Sequence, residues 1–250
     1  MHAAPLTLAG TPLLLDIAGA AVNPATRTLI VADLHLEKGS AFAAGGRLLP
    51  PYDTAATLAA LQRLCRHYRP QRVVCLGDSF HDADGPARLV PRDRALLDRL
   101  VGTHDWLWVA GNHDPALPAT IGGSRVPEVR DGGLVLRHDA SEALAGAAGT
   151  PAGEISGHFH PKASVATRGR RVTARCFASD GRRLILPALG AYTGGLNVLD
   201  PAIAALLRPR FGVFLLGRER LFRFNRPQLL ADPPRLEDQP GARRAIGEAG

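Results

Sequence analysis

The chain has 250 residues, 46% of them hydrophobic and 21% charged, which indicates a folded protein with a sizeable core and excludes global disorder. No stretch of about 18 residues is apolar without a charge, so the sequence predicts no membrane span. The formal net charge of +7 arises in residues 162–250, which carry 16 basic and 7 acidic residues, against 14 and 16 in residues 1–161.

The N-terminal part is predicted to form short strands at residues 6–9, 13–17 and 28–32, separated by turn signals containing Gly, Pro and Asn. The apolar start could resemble a signal peptide, but it has no basic leader and Asp16 interrupts it, so strands are the better interpretation. Asp33 and His35 then fall just beyond the end of the third strand.

The middle of the chain predicts strands that alternate with helices. A helix over 52–68 is expected, capped by Asp53 or Thr54, with one apolar face and an end at Pro70. A buried strand over 72–76, a helix over 91–101 and a strand over 106–110 follow. Polar motifs stand at the exit of each strand, where open α/β sheets place their sites.

The rest of the chain is predicted to be mainly β. A hairpin over 126–130 and 134–137 precedes strands at 154–156, 164–167, 172–177 and 184–187, a short helix over 201–207 and a last hairpin over 211–216 and 221–224. We therefore expect one domain over 1–224 and a disordered tail over 225–250. Cys65, Cys75 and Cys176 have no metal-binding spacing and are expected to be buried thiols in a reducing cytoplasm.

Five short motifs follow one another in a fixed order and supply carboxylate, amide and imidazole side chains. Any one of them occurs by chance in many chains, but together they include five of the nine histidines. The set suffices to hold two metal ions, which indicates phosphoester chemistry. The motifs are Asp33-Leu34-His35, Gly77-Asp78, Gly111-Asn112-His113-Asp114, His138 and Gly157-His158-Phe159-His160.

The residue types suggest how such a centre is divided. Asp78 is the natural bridge between two ions, because a carboxylate has two oxygens and it is the sole acid at its strand end. Asp33 and His35 are two residues apart, so in an extended segment both reach one ion. His158 and His160 follow the same rule, or each binds its own ion. Asn112 and His138 complete the second ion, and the donor set allows Mn, Fe, Zn or Ni.

Six histidines need separate interpretation, two from the motifs and four from outside them. His113 follows Asn112 directly and should point away from that residue's ion, so it is predicted to be a general acid that protonates the leaving oxygen. His81 is a contact to phosphate, a support for a ligand or a surface histidine. His138 is the least distinctive of the predicted ligands. The alternative to it is His104, which precedes a strand and so lies at the opposite end of the sheet. His2 and His67 are treated as incidental.

The motif order resembles that of the calcineurin-like metallophosphoesterase superfamily. The resemblance implies a four-layer α-β-β-α sandwich of two mixed sheets flanked by helices. It also implies one ion held by Asp33, His35, Asp78 and His160, a second held by Asp78, Asn112, His138 and His158, and His113 as catalytic acid. Many members have Gly-Asp-x-x-Asp, whose second Asp pairs with the catalytic histidine; here His81 stands at that place and Asp82 follows.

Residues 31–39, 76–82, 156–161 and 186–195 also look like the bacterial ligase-associated DNA damage response endonucleases, the PdeM family. This narrower resemblance implies a manganese-dependent nuclease on single-stranded DNA, encoded near a DNA ligase and a helicase. The basic C-terminal part suits such a polyanion, although an Arg- and Ala-rich composition from a GC-rich genome explains the charge equally well. The alternatives are a phosphohydrolase of nucleotides or other small phosphoesters and a scaffold without catalysis.

Overall fold

A computed structural model describes residues 3–141 and 153–233. Its strands form two mixed sheets, and the five helices and one 3-10 turn are short or lie on the outer faces. Within these residues, no helix is long and apolar enough to cross a membrane. The predicted sandwich of two mixed sheets is confirmed.

The first sheet contains seven strands in chain order. Its first four strands pair antiparallel and the last four pair parallel, so the carboxyl ends of neighbouring strands meet at one edge. The strands are β1 (Ala3–Leu8), β2 (Thr11–Asp16), β3 (Ala21–Asn23), β4 (Thr28–Ala32), β5 (Arg72–Leu76), β6 (Asp105–Val109) and β7 (Ser124–Val126).

The second sheet contains nine strands, with parallel pairs only between β9 and β10 and between β10 and β13. Its strands are β8 (Val129–Asp131), β9 (Leu134–Arg137), β10 (Gly153–Ser156), β11 (Lys162–Thr167), β12 (Arg170–Ser179), β13 (Arg183–Ile185), β14 (Gly212–Leu216), β15 (Leu221–Asn225) and β16 (Leu229–Leu230). The helices are α1 (Lys38–Ala44), α2 (Asp53–Tyr68), α3 (Gly85–Arg88), α4 (Pro91–Thr103) and α5 (Pro201–Ala204), and Arg226–Gln228 is the 3-10 turn.

The central strands are buried on both faces. Along β4, Leu29 and Val31 face the core beneath α2 and α4, whereas Ile30 and Ala32 face the core between the sheets. A third core lies beneath α5 and β11 on the outer face of the second sheet. This packing explains why β4 and β5 are continuous apolar runs rather than alternating ones. The three cysteines are buried and free.

Three local predictions are corrected. Neither Asp53 nor Thr54 caps α2, whose N-cap is Tyr52 without a side-chain bond. Both side chains instead accept backbone N–H groups at the start of α1, Thr54 from Glu37 and Asp53 from Gly39. The predicted strand over 126–130 is two strands, because the chain leaves the first sheet after β7 and enters the second at β8. The chain also pairs beyond residue 224, where β16 joins β11, while residues 234–250 of the predicted tail lie outside the described residues.

Candidate active site

The predicted site residues come together where the carboxyl ends of strands from the two sheets lie side by side. Asp33 follows β4, Asp78 follows β5 and Asn112 follows β6, and these three strands are parallel neighbours. His138 follows β9 and His158 follows β10, which are parallel neighbours in the second sheet. All seven predicted ligands therefore approach one region from two sheets.

One group of donors comprises Asp33, His35 and His160, whose ligand atoms lie within 4.8 Å of one another. The Nε2 atoms of His35 and His160 are 3.2 Å apart, and Asp33 Oδ2 lies 3.6 Å from His160 Nε2. The Asp33 carboxylate is oriented by the backbone N–H of His158, which donates to both of its oxygens. The group contains three of the four residues expected at the first ion.

A second group comprises Asp78, His138 and His158, with Asn112 beside it. Asn112 Oδ1 lies 2.9 Å from His138 Nε2 and 3.0 Å from His158 Nδ1, and the two histidine nitrogens are 3.1 Å apart. His158 and His160 therefore lie in different donor groups.

Asp78 lies between the two groups. Its Oδ2 is 3.7 Å from His35 Nε2, and its Oδ1 is 3.6 Å from His138 Nε2. The backbone N–H of His113 donates to Oδ1 at 2.9 Å and fixes the carboxylate. The two oxygens of one carboxylate therefore face different donor groups, as a bridging ligand requires.

The donor arrangement fits cations. His138 Nδ1–H donates to the Leu76 carbonyl oxygen at 2.9 Å, so in the neutral ring that metals bind Nε2 presents a lone pair to Asn112 Oδ1, which is also an acceptor. Such facing acceptors repel unless a cation lies between them. Burial, together with the neighbouring His160, lowers the pKa of His35 to about 2, so this imidazole is neutral, the form that metals bind.

The backbone at these donors is unusual. Asp33, His35, Asp78, His158 and His160 all have positive φ angles, between 42° and 69°. Asp33 and His35 thus converge from a segment in which both residues, but not Leu34 between them, are left-handed, and the expectation of an extended segment was wrong. Hydrogen bonds between loops hold it, since His35 N–H donates to Asp78 O and Leu36 N–H donates to Ser79 O. Strain of this kind persists where surrounding contacts determine the backbone.

His113 lies beside Asp78, with its Nε2 4.0 Å from Asp78 Oδ2 and with 41% of its side chain exposed. Its Nδ1–H donates to the backbone oxygen of His81 at 2.9 Å. Asp82 does not take the role of the missing carboxylate, because both its oxygens accept from Arg88. The departure from Gly-Asp-x-x-Asp thus leaves a carbonyl where many members of the superfamily use a carboxylate to hold the catalytic histidine.

The remaining candidates have distinct positions. The half-buried ring of His81 stacks on His113 at 5.2 Å, and burial, with the Lys38 ammonium next in effect, lowers the pKa of His81. Asp114 accepts from the backbone N–H groups of Ser79 and Phe80 and thereby fixes the loop that follows Asp78. Burial raises the pKa of Asp114 to about 6. His104 is outside the site and bonds the Leu100 carbonyl oxygen at the end of α4.

Sequence reasoning missed the residues that support the site. Glu37 accepts from Thr54 Oγ1 at 2.9 Å and from Ser40 Oγ at 2.6 Å, which holds the chain just after the first motif. A Cβ at Gly195 would overlap the His160 carbonyl oxygen, so the glycine-rich segment before β14 packs directly on the last motif. Glu37 and Gly195 lie in segments 31–39 and 186–195, which carry the narrower resemblance, but the sequence assigned neither residue a contact.

Gly77→Ala should destabilise the protein and impair metal binding. Gly77 has φ of +71°, and an added Cβ would overlap the His138 ring, which must then move. Gly132→Ala is a matched control, since φ is +63° there and nothing lies within 4 Å of the added Cβ. The φ penalty alone is about 1 kcal/mol in both variants, and overpacking adds about 1–3 kcal/mol at Gly77. Equal shifts in Tm and equal metal content in the two variants would contradict the clash.

Two mixed sheets with paired sets of oxygen and imidazole donors at a shared edge define a metal-dependent phosphoesterase. A model of the family described as calcineurin-like phosphoesterase matches residues 26–162, more than half of the chain, and the chain belongs to this family. The family implies a dinuclear site for divalent metals, for which the two donor groups are candidate ligands. No curated protein sequence gives a match.

Solved structures include similar proteins. The crystal structure of the Pseudomonas putida nuclease MPE is 26% identical, has a TM-score of 0.67, and is aligned over 89% of this chain and 100% of that chain. The Escherichia coli phosphoesterase Yfce is 16% identical with a TM-score of 0.40, over 79% and 97% of the two chains. The Aquifex aeolicus protein AQ665 is 13% identical with a TM-score of 0.36, over 53% and 78%.

Proposed function

We propose that the protein is a dinuclear-metal phosphodiesterase that cuts single-stranded DNA, with manganese as its preferred ion, in DNA repair in the cytoplasm. The observation that supports the reaction most directly is the bridging position of Asp78 between two donor groups, with His113 beside it. The similarity to a nuclease over the whole of that nuclease's length favours a nucleic acid as substrate.

When bound, two divalent ions supply Lewis acidity toward the phosphate and activate water as a nucleophile. His113 then protonates the leaving sugar oxygen from Nε2, which faces the site because Nδ1–H is held by the His81 carbonyl oxygen. The carbonyl also stabilises the protonated ring that this role requires. His81, one ring nitrogen of which lies within 4.8 Å of a ring nitrogen of His35 and of His113, contacts the phosphate.

The exposure of the site supports a polymeric substrate. Asn112 and His113 are exposed, so the residues at the second donor group open toward solvent. The basic C-terminal part starts close to the site, because its first basic residue, Lys162, is two positions after His160. Positive charge beside an open centre attracts a polyanion and makes its binding dependent on salt. A functional link to a DNA ligase and a helicase belongs to this proposal.

The wild-type protein should nick single-stranded circular DNA in Mn²⁺ and should lose this activity in a chelator. The measurement is cleavage of single- and double-stranded DNA across a panel of Mn²⁺, Fe²⁺, Zn²⁺, Ni²⁺ and Mg²⁺. The His113→Ala protein, purified in parallel, controls for contaminating nucleases. Hydrolysis of a chromogenic phosphodiester without any DNA cleavage would instead identify a phosphohydrolase of small molecules and overturn the proposal.

A further inference from the structure

A pocket of about 400 Å³ lies beside the metal-binding residues, between α1 and the loop after β5. None of the seven predicted ligands lines it. Its volume is in the range of pockets that hold small ligands. The lining residues are Ala41, Phe42, Gly45, Arg47, His81 and Asp82.

A row of aromatic rings connects the catalytic position to this pocket. His113 stacks on His81 with centroids 5.2 Å apart and an interplanar angle of 23°. His81 in turn lies 5.7 Å from the Phe42 ring at 43°. The row therefore begins at the residue that protonates the leaving oxygen and ends inside the pocket.

The wall of the pocket that α1 forms is held by specific contacts. Gly39 N–H donates to Asp53 Oδ2 at 3.0 Å, and Glu37 N–H donates to Thr54 Oγ1 at 2.8 Å, which fix the start of α1 on α2. Arg88 Nε donates to Ser40 Oγ at 2.9 Å and ties α1 to α3. Phe42 is thus presented from a supported helix.

The charge of the pocket suits an anionic ligand. Asp82 is its one acidic lining residue and is paired with Arg88. Within residues 3–141 and 153–233, the exposed Arg47 side chain makes no hydrogen bond or ion pair. Lys38 Nζ lies 5.7 Å from the centroid of the Phe42 ring. One positive group therefore lies over the aromatic ring, and a second, Arg47, lines the same pocket.

We propose that this pocket binds the nucleotide on the leaving-group side of the scissile phosphate, with its base against Phe42 and His81. The inference rests on the proposed function and assigns it a subsite. Because His113 protonates the leaving oxygen, the departing nucleotide extends along the row of rings away from the bridge. Base stacking on aromatic side chains needs an unpaired base, so the subsite selects single strands. Arg47 adds an electrostatic contact to the DNA strand beyond this nucleotide.

The test uses dinucleoside monophosphates, which have one cleavable bond, with an abasic residue on either side of the phosphate. The products show which sugar leaves with a free hydroxyl. In the wild-type protein, a base on the leaving-group side should raise kcat/KM about 10-fold over the abasic residue, from stacking. Phe42→Ala and Phe42→Leu should reduce that gain to within about 2-fold, and Phe42→Tyr should retain it. The base on the other side should matter equally in all variants.

Phe222→Ala is the matched control, because Phe222 is 40% exposed on β15 and its ring lies against Gly217 and Arg220. A gain that persists in folded, metal-loaded Phe42→Ala, or is missing from the wild-type protein, overturns the subsite alone. Cleavage of a chromogenic diester without cleavage of any dinucleotide or oligonucleotide overturns the proposed function, and the subsite with it.

Discussion

Asp78→Asn should abolish phosphodiesterase activity, with a loss on the order of 10³-fold or more, and should reduce the bound divalent ions from two per chain to one or none. The reason is the position of Asp78, whose two oxygens face His35 on one side and His138 on the other. A neutral amide has one oxygen and no charge, so it cannot serve two cations. Metal content and activity of the same preparations are the measurements.

Asp131→Asn is a suitable control for the loss of a buried carboxylate. Asp131 and Asp78 are both 2% exposed, but Asp131 accepts from Asn23, Thr26 and Thr28 away from the site. We expect that variant to be less stable, but its folded molecules should still bind both ions. If Asp78→Asn bound two ions and stayed active, the bridging assignment would be wrong.

His113→Ala should lower kcat on DNA by about 10²–10⁴-fold while both ions remain bound, because a general acid contributes about that factor. His113 Nε2 is 4.0 Å from the bridge and its other nitrogen bonds a carbonyl oxygen, so the ring is available for proton transfer. The loss should be much smaller on bis(p-nitrophenyl) phosphate, since p-nitrophenolate leaves without a proton. Comparison of the two substrates therefore separates acid catalysis from substrate binding.

His104→Ala is the control for removing an imidazole, because His104 bonds the end of α4 and lies outside the site. Its activity on both substrates should match the wild-type protein. A His113→Ala protein that loses the same factor on DNA and on the chromogenic diester would refute the role in protonation and indicate a binding role. Loss of metal in that variant would point to a ligand.

Buried elements were predictable because their signals are local. The strands β4 and β5 have the predicted bounds, since both are continuous apolar runs between turn residues. The helix α2 was predicted to within one residue, at its start, because its apolar face repeats with the period of a helix. Such elements carry their own pattern, whatever packs against them.

Short elements were not predictable for the opposite reason. The helix α1 has a left-handed N-cap at Glu37 and no side-chain cap, and its position depends on Thr54 and Asp53 from another helix. The strand β3 has three residues. The division between β7 and β8 depends on two different sheets. None of these features appears in the residues of the element itself.

The sequence by itself determined the chemistry, because the donor types and their order at strand exits allow little besides a two-metal phosphoesterase. Only the tertiary structure decided how the donors divide. His158 and His160 lie in separate groups, and each oxygen of Asp78 faces one of them. The carbonyl of His81 holds His113, and Phe42 contacts the His81 ring from a helix that was not predicted. The physical reason is that the direction of a side chain depends on φ, and at these loops φ is set by hydrogen bonds from distant segments.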